Sequence, residues 1–282
     1  MEGKILIIPD VHCRSFWKEP LKHLDEYTKV VFLGDYLDPY KSEGTTFEEG
    51  FANLEEIIRI KKENPDKVAL FLGNHDLGYL DNNICTARHA WNWENDVRTI
   101  LKENFELFDL AWETTIGELR YFFSHAGVTK GWLEDHENIF HFRDGDALPK
   151  AELFNNMFHG DDKQQKSMLY SALADIGTAR WGVSDNGSII WADEIEHHHW
   201  ENNPNFFDGV YQIFAHSQQE EYPVIDTHYA CLDCRKAFVL DETGTILDYE
   251  TGEKAKVMSE EEKERKEEEE RKSIEFLSAF FL

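Results

Sequence analysis

An α/β fold is predicted by three observations. Apolar strand-like runs alternate with amphipathic helical stretches through the first third of the chain. Two of those runs end in nearly the same phrase, VVFLGDYLD over 30–38 and VALFLGNHD over 68–76. Several later runs also finish on a histidine or a carboxylate. With 282 residues, 41% hydrophobic and 13% aromatic, the chain can bury a sizeable core.

KILII (4–8) is a continuous apolar run, as expected for a strand covered on both faces. Phe16, Trp17, Leu21 and Leu24 then fall at helical spacing. VVFL (30–33) is the next strand. Thr46-Phe-Glu-Glu49 has the form of a capping box, and Phe51, Leu54, Ile57 and Ile58 follow on one helical face until Asn64-Pro65 stops the helix. VALFL (68–72) completes a βαβαβ order, hence a largely parallel sheet. YFF (121–123), SII (188–190), YQIF (211–214), YPVI (222–225), AFVL (237–240) and TIL (245–247) read as a second, mixed or antiparallel β region. Residues 130–187 between them are irregular and partly helical.

We expect one domain over residues 1–255, carrying a variable insertion over 130–210, and a charged helix over 256–282. Ser259-Glu-Glu-Glu262 caps that helix, and Glu261/Arg265, Glu262/Lys266, Glu267/Arg271 and Glu268/Lys272 are (i, i+4) pairs in the favourable order. Its last turns, with Ile274, Leu277, Phe280 and Phe281, dock on the domain or make a homo-oligomer contact.

The formal net charge of −27 makes a long nucleic acid a poor partner. It leaves room for a small phosphorylated substrate, because bound metal reverses the local potential. No run approaches a membrane span and the N-terminus lacks a signal-peptide pattern, so a soluble cytoplasmic protein is expected. The four cysteines, Cys13, Cys85, Cys231 and Cys234, form no disulfide or zinc framework and are expected to be reduced. His197-His198-His199-Trp200 reads as an exposed turn, since three consecutive side chains cannot easily converge on one ion. Trp91, Trp93 and Trp112 are expected in the core or at an interface.

The chemistry lies at the strand ends, where open α/β sheets gather ligands. KILII leads to Asp10 and His12, VVFL to Gly34-Asp35, VALFL to Gly73-Asn74-His75-Asp76, YFF to Ser124-His125, and YQIF to Ala215-His216. Hard oxygens and imidazoles without thiolate favour Mn, Fe, Zn or Co, and the set exceeds what one catalytic ion needs. Two metal ions would use it all, with the repeated phrase delivering ligands from two parallel strands to one binuclear centre.

The series Asp10-x-His12, Gly34-Asp35-x-x-Asp38, Gly73-Asn74-His75-Asp76, His125 and His216 resembles the calcineurin-like metallophosphoesterase superfamily. Within it the chain looks most like the branch of protein serine/threonine phosphatases and bacterial dinucleoside polyphosphate hydrolases. GDYLD is similar to that branch's GDYVDRG block, SHAG to its HGG, IIWAD to its LWSDP, and IDTHYACLDCRKAFVL to its IDTGC-GGKL strand pair. The resemblance implies a four-layer α/β/β/α sandwich with mixed sheets, and places the Cys231/Cys234 pair in a hairpin.

It also implies roles. Asp10 and His12 would bind the first of two divalent or trivalent ions, Asp35 would bridge both, and Asn74, His125 and His216 would complete the second. A hydroxide bridging the ions would attack phosphorus in line, His75 would protonate the leaving oxygen, and Asp38 would orient His75. Asn74 and Arg180 are candidates for holding the phosphate. The chain departs from the pattern where Pro39-Tyr40 replaces Arg-Gly, where Cys13 follows the Asp-x-His motif, and at Ala215 and Gln218. The implied activity is phosphomonoester hydrolysis on a small phosphorylated molecule or a phosphoprotein. A hydrolase of nucleotide anhydrides or phosphodiesters is the alternative, and a non-catalytic metal-containing scaffold is a third reading.

Overall fold

The computed structural model describes residues 3–81, 83–84, 93–197, 199–200 and 203–257. Beyond residue 257 the expected charged helix lies outside the described residues, as do Cys85, Trp91 and His198. In chain order the first half contributes β1 (Lys4–Ile8), α1 (Lys18–Leu21), β2 (Tyr27–Phe32), α2 (Phe47–Glu63), β3 (Val68–Phe71), α3 (Asn74–Leu80) and α4 (Glu94–Glu103). There follow β4 (Phe108–Asp109), β5 (Ala111–Ile116), β6 (Leu119–Ser124), α5 (Lys130–Asp135), α6 (Glu137–Phe140), α7 (Ala151–His159) and α8 (Lys163–Leu173). The last part adds β7 (His199–Trp200), β8 (Asn203–Pro204), β9 (Val210–Phe214), β10 (Val224–Ile225), β11 (Tyr229–Cys231), β12 (Phe238–Leu240) and β13 (Ile246–Asp248).

Two sheets carry the fold, in the orders β13-β12-β1-β2-β3-β4 and β10-β11-β9-β6-β5. In the first, β1 to β4 run parallel, and β12 and β13 extend it antiparallel. In the second, β9 is parallel to both β6 and β11, while β5 and β10 pair antiparallel at the edges. Side chains alternate across each strand, so each sheet has two faces to cover. Ile5, Ile7, Val31, Leu33 and Phe71 of the first sheet meet Tyr121, Phe123, Ile213 and Ala230 of the second in one core. Leu6, Ile8, Val30 and Phe32 face the other way, onto Leu54, Ile57 and Ile58 of α2. On the outer face of the second sheet Phe122 packs edge-on against Phe154 of α7, ring centroids 5.9 Å apart. Helix, sheet, sheet, helix is the expected four-layer order.

Thr46 and Glu49 close the expected capping box, Thr46 Oγ1 accepting from Glu49 N and Glu49 accepting from Thr46 N. Elsewhere the structure differs from the sequence reading. The helical spacing over 16–24 yields only one turn, α1, and a short 3-10 turn at Leu24–Glu26. SII is not a strand. Ser188, Ile189 and Ile190 form a buried turn in which Ser188 O accepts from Trp191 N and Ala192 N, and Ile189 O accepts from Ala126 N. Its apolar character reflects burial under a loop, which an apolar triplet cannot distinguish from a strand. AFVL and TIL belong to the first sheet, so Cys231 and Cys234 span a crossover between sheets and not a hairpin. Both thiols, with Cys13, are buried. His197 is fully buried and stacks on Phe214, centroids 4.6 Å apart, which overturns the exposed turn at that position. Trp93 packs on Phe47 and Phe51, and Trp112 on Phe123.

Candidate metal centre

The carboxyl ends of β1, β2, β3, β6 and β9 come together at one rim of the sandwich, and the His125 side chain ties the two sheets there. Ala215 N donates to His125 O at 2.8 Å, and Leu33 O accepts from His125 Nδ1 at 2.8 Å. The loops after β1 and β2 run side by side, with His12 N donating to Asp35 O at 2.7 Å. Gly34 and Gly73 let this happen. A Cβ on Gly34 would stand 2.6 Å from Gly73 N, and one on Gly73 would stand 2.1 Å from Asp35 Oδ1. The doubled phrase is therefore a pair of glycine contacts that lay Asp35 against the start of α3.

Two groups of side chains have ligand atoms within 4.8 Å of one another: His12, Asp35 and His75, and Asp35, His125 and His216. Asp35 belongs to both. Its Oδ2 lies 3.6 Å from His12 Nε2 and 3.7 Å from His125 Nε2. Asp10 joins from β1, its Oδ2 3.8 Å from His12 Nε2 and its Oδ1 accepting from His216 N at 3.3 Å. Asn74 Oδ1 is 3.1 Å from His125 Nε2, which also sits 3.2 Å from His216 Nδ1. The six side chains proposed from sequence as ligands thus meet in one place.

Their tautomers are set by the main chain. His12 Nδ1 donates to Leu37 O at 2.9 Å and His125 Nδ1 to Leu33 O, which turns each Nε2 toward the carboxylates. Burial depresses His125 to about 3, and burial with the charge of Arg180 lowers His216 well below the usual range, so both are neutral. Neutral imidazoles are what metal ions bind. The backbone is strained where it carries these groups: His12, Asp35, Asp38 and His216 have φ between 41° and 63°, a left-handed conformation that costs about 1 kcal/mol or more in each.

The site's electrostatics ask for cations. Asp10, Asp35, Asp38, Asp76 and Asp233 are all buried. Burial first, then the neighbouring carboxylates, raises Asp10 and Asp35 well above their ordinary range. Burial also lifts Asp76 to about 7 and Asp233 to about 6. Among the described residues, His216 Nε2 and Asp233 Oδ1 are buried without a hydrogen-bond partner. A crowd of buried carboxylates and imidazole nitrogens fits one or more divalent ions and is costly without them.

A pH prediction follows. A folded-state pKa above the unfolded value means the neutral acid stabilises the fold, and that contribution fades as pH rises through the folded pKa. Chelator-treated protein should therefore melt at a higher temperature at pH 5.5 than at pH 8. Adding Mn²⁺ should raise the melting temperature more at pH 8, where the carboxylates are charged. Equal metal-induced shifts at the two pH values would contradict this account.

Within the first ligand group, His75 Nδ1 donates to Asp38 Oδ2 at 2.7 Å, and Tyr79 OH donates to Asp38 Oδ1 at 2.6 Å. The His75 side chain is 14% exposed and Asp38 is fully buried, so this imidazole has a backing carboxylate and an open face. Arg180 is committed to the scaffold: its guanidinium donates to His216 O and Ser217 Oγ, each at 3.0 Å, and its Nε lies 2.5 Å from Asp193. Sequence reasoning named Asp76 in the motif series without giving it a role, and passed over Tyr79 and Asp233. Asp76 accepts from Asp35 N, Tyr36 N and Gly73 N at 2.7, 3.0 and 2.9 Å, clamping the Asp35 turn. The available signal was its place as the last residue of the second phrase.

Residues 3–220 match the family model of calcineurin-like phosphoesterases. Among solved structures, the chain is similar to a cold-active protein-tyrosine phosphatase of a psychrophilic Shewanella species, with 12% identity and a TM-score of 0.53 over 88% of this chain and 80% of that one. A protein serine/threonine phosphatase from Saccharomyces cerevisiae also matches, with 12% identity and a TM-score of 0.49 over 85% of this chain and 73% of that one. A search of the curated proteins finds no match. Among the described residues, no helix is long and apolar enough to cross a membrane.

Proposed function

The chain belongs to the calcineurin-like phosphoesterase family, hydrolases acting on phosphoester bonds, and on that premise we propose a binuclear metal-dependent phosphatase that cleaves a phosphomonoester by in-line attack of water. The observation that carries this reading is Asp35, which stands in both ligand groups at once. Asp10 and His12 would hold one ion, Asn74, His125 and His216 the other, and Asp35 both. Two such ions, Mn, Fe, Zn or Co by the donor set, lower the pKa of the attacking water and neutralise charge on the phosphoryl oxygens.

The chain's own groups supply the rest. His75, held through Nδ1 by Asp38, presents Nε2 to protonate the leaving oxygen. The Asn74 amide offers a donor to the phosphate. Arg180 braces His216 through the backbone carbonyl, and adds positive potential behind the phosphate.

Phosphorylated substrates suit this site, and the acidic surface favours small ones or exposed phosphorylated side chains. Pro39-Tyr40, in place of the Arg-Gly of the protein phosphatases, favours a second reading in which the substrate is a nucleotide anhydride or a phosphodiester. Turnover of p-nitrophenyl phosphate, bis(p-nitrophenyl) phosphate and diadenosine tetraphosphate with Mn²⁺ separates the two. The monoester is expected to turn over fastest. Preference for the diester or the anhydride would replace the first reading with the second.

A further inference from the structure

Beside the metal-ligand groups lies a cluster of charge that the proposed reaction does not use. Arg14 follows His12 by two residues, and its side chain is only 10% exposed. Its Nε and Nη2 donate to the two carboxylate oxygens of Glu43 at 2.7 and 3.0 Å, a fork-to-fork pair. Arg235 approaches the same carboxylate from the crossover after β11, its Nε 3.0 Å from Glu43 Oε1. Two guanidinium groups therefore share the Glu43 carboxylate, and both also face the buried Asp233.

Contacts tie this cluster to the candidate centre. Arg14 Nη1 donates to the backbone oxygen of Asp10 at 3.2 Å. The guanidinium lies over the Tyr40 ring, 5.3 Å from its centroid, and that ring meets His12 edge-on at 4.9 Å. The main chain fixes the root of the arginine: Asn53 Nδ2 donates to Cys13 O and Arg14 O, and Trp17 Nε1 donates to Arg14 O.

Glu43 has no comparable anchor. It ends a single 3-10 turn, Lys41–Glu43, followed by Gly44 at φ 70°, where an added Cβ would meet nothing within 4 Å. That loop leaves the centre directly after Asp38, through the Pro39-Tyr40 that stands where the related phosphatases carry an arginine. A pair of guanidinium groups, Arg14 anchored through its main chain, is thus occupied by a carboxylate on an open loop.

We propose that Arg14 and Arg235 form a subsite for a second, uncleaved phosphate of the substrate, and that Glu43 holds the place of that phosphate until substrate displaces it. Carboxylate and phosphate present the same planar pair of oxygens to an arginine fork. A phosphate brings about two negative charges where Glu43 brings one, so exchange is favoured by charge. The proposal rests on the phosphatase reading and narrows its substrate class to phosphomonoesters flanked by a second phosphate.

The test compares adenosine 3′,5′-bisphosphate with adenosine 5′-monophosphate, by phosphate release with Mn²⁺ and by calorimetric binding. Wild type should prefer the bisphosphate in kcat/KM and in affinity. Arg235→Gln should reduce that preference by about tenfold, mostly through KM. Glu43→Gln should tighten bisphosphate binding, which a merely structural role for the triad would not do. A preference unchanged within twofold in both variants, while turnover persists, overturns the subsite and leaves the phosphatase reading standing. Arg235-dependent binding of the bisphosphate without turnover of either nucleotide supports the subsite and counts against the phosphatase reading.

Discussion

Asp35→Asn is expected to empty both halves of the candidate centre. The side chain is buried, belongs to both ligand groups, and places Oδ2 within 3.7 Å of imidazole nitrogens from β1 and β6 alike. Asparagine keeps the shape and can still accept from His75 N, which Asp35 Oδ1 does at 3.0 Å. What it removes is the charge that two cations would share. Loss of a partner that merely orients a metal ligand costs about 10–100-fold. Loss of a shared ligand should cost more, on the order of 10³-fold in kcat/KM, together with most of the bound metal. Asn74→Ala is the comparison, because Asn74 touches only the His125 side of the cluster. Metal analysis after extensive dialysis should rank wild type above Asn74→Ala, and Asn74→Ala above Asp35→Asn. The reverse order of the two variants would remove Asp35 from its shared position.

That ranking could be drawn from sequence because the signal was local. A strand buried on both faces writes itself as an unbroken apolar run, so KILII, VVFL and VALFL marked β1, β2 and β3, and each announced its ligands at the next polar residue. Where the polypeptide leaves the sheets, the same reasoning had nothing to work on. Ile189 and Ile190 are as apolar and as buried as any strand residue, yet they line a turn closed by Ser188. Asp76 does its work through three backbone N–H groups, a role that leaves no spacing pattern. Asp233 reaches the site from the crossover between sheets, a path visible only once β11 and β12 are known to lie in different sheets. Arg14 and Arg235 are 221 positions apart, and no spacing pattern links them until Glu43 is seen between them.

His75→Asn is expected to slow turnover by about 10²–10⁴-fold while leaving metal content intact. The pairing with Asp38 gives the reason. Asp38 is fully buried and accepts from both His75 Nδ1 and Tyr79 OH, so the imidazole is held in one orientation with a carboxylate behind it to stabilise the cation. A general acid matters most when the departing alkoxide is basic, so the loss should be larger with phenyl phosphate or a phosphoserine peptide than with p-nitrophenyl phosphate. Asp38→Asn should show the same dependence on leaving group with a smaller loss, since Tyr79 and the packing around it still constrain the ring. His75 also stands within 4.8 Å of His12 and Asp35 ligand atoms, which admits a competing role as a metal ligand. The two roles separate cleanly. A ligand's removal lowers bound metal and slows every substrate alike, whereas an acid's removal spares the metal and penalises poor leaving groups. Equal rates for wild type and His75→Asn on both phenyl phosphate and p-nitrophenyl phosphate would end the assignment of the acid, and loss of metal in the variant would move His75 into the ligand set.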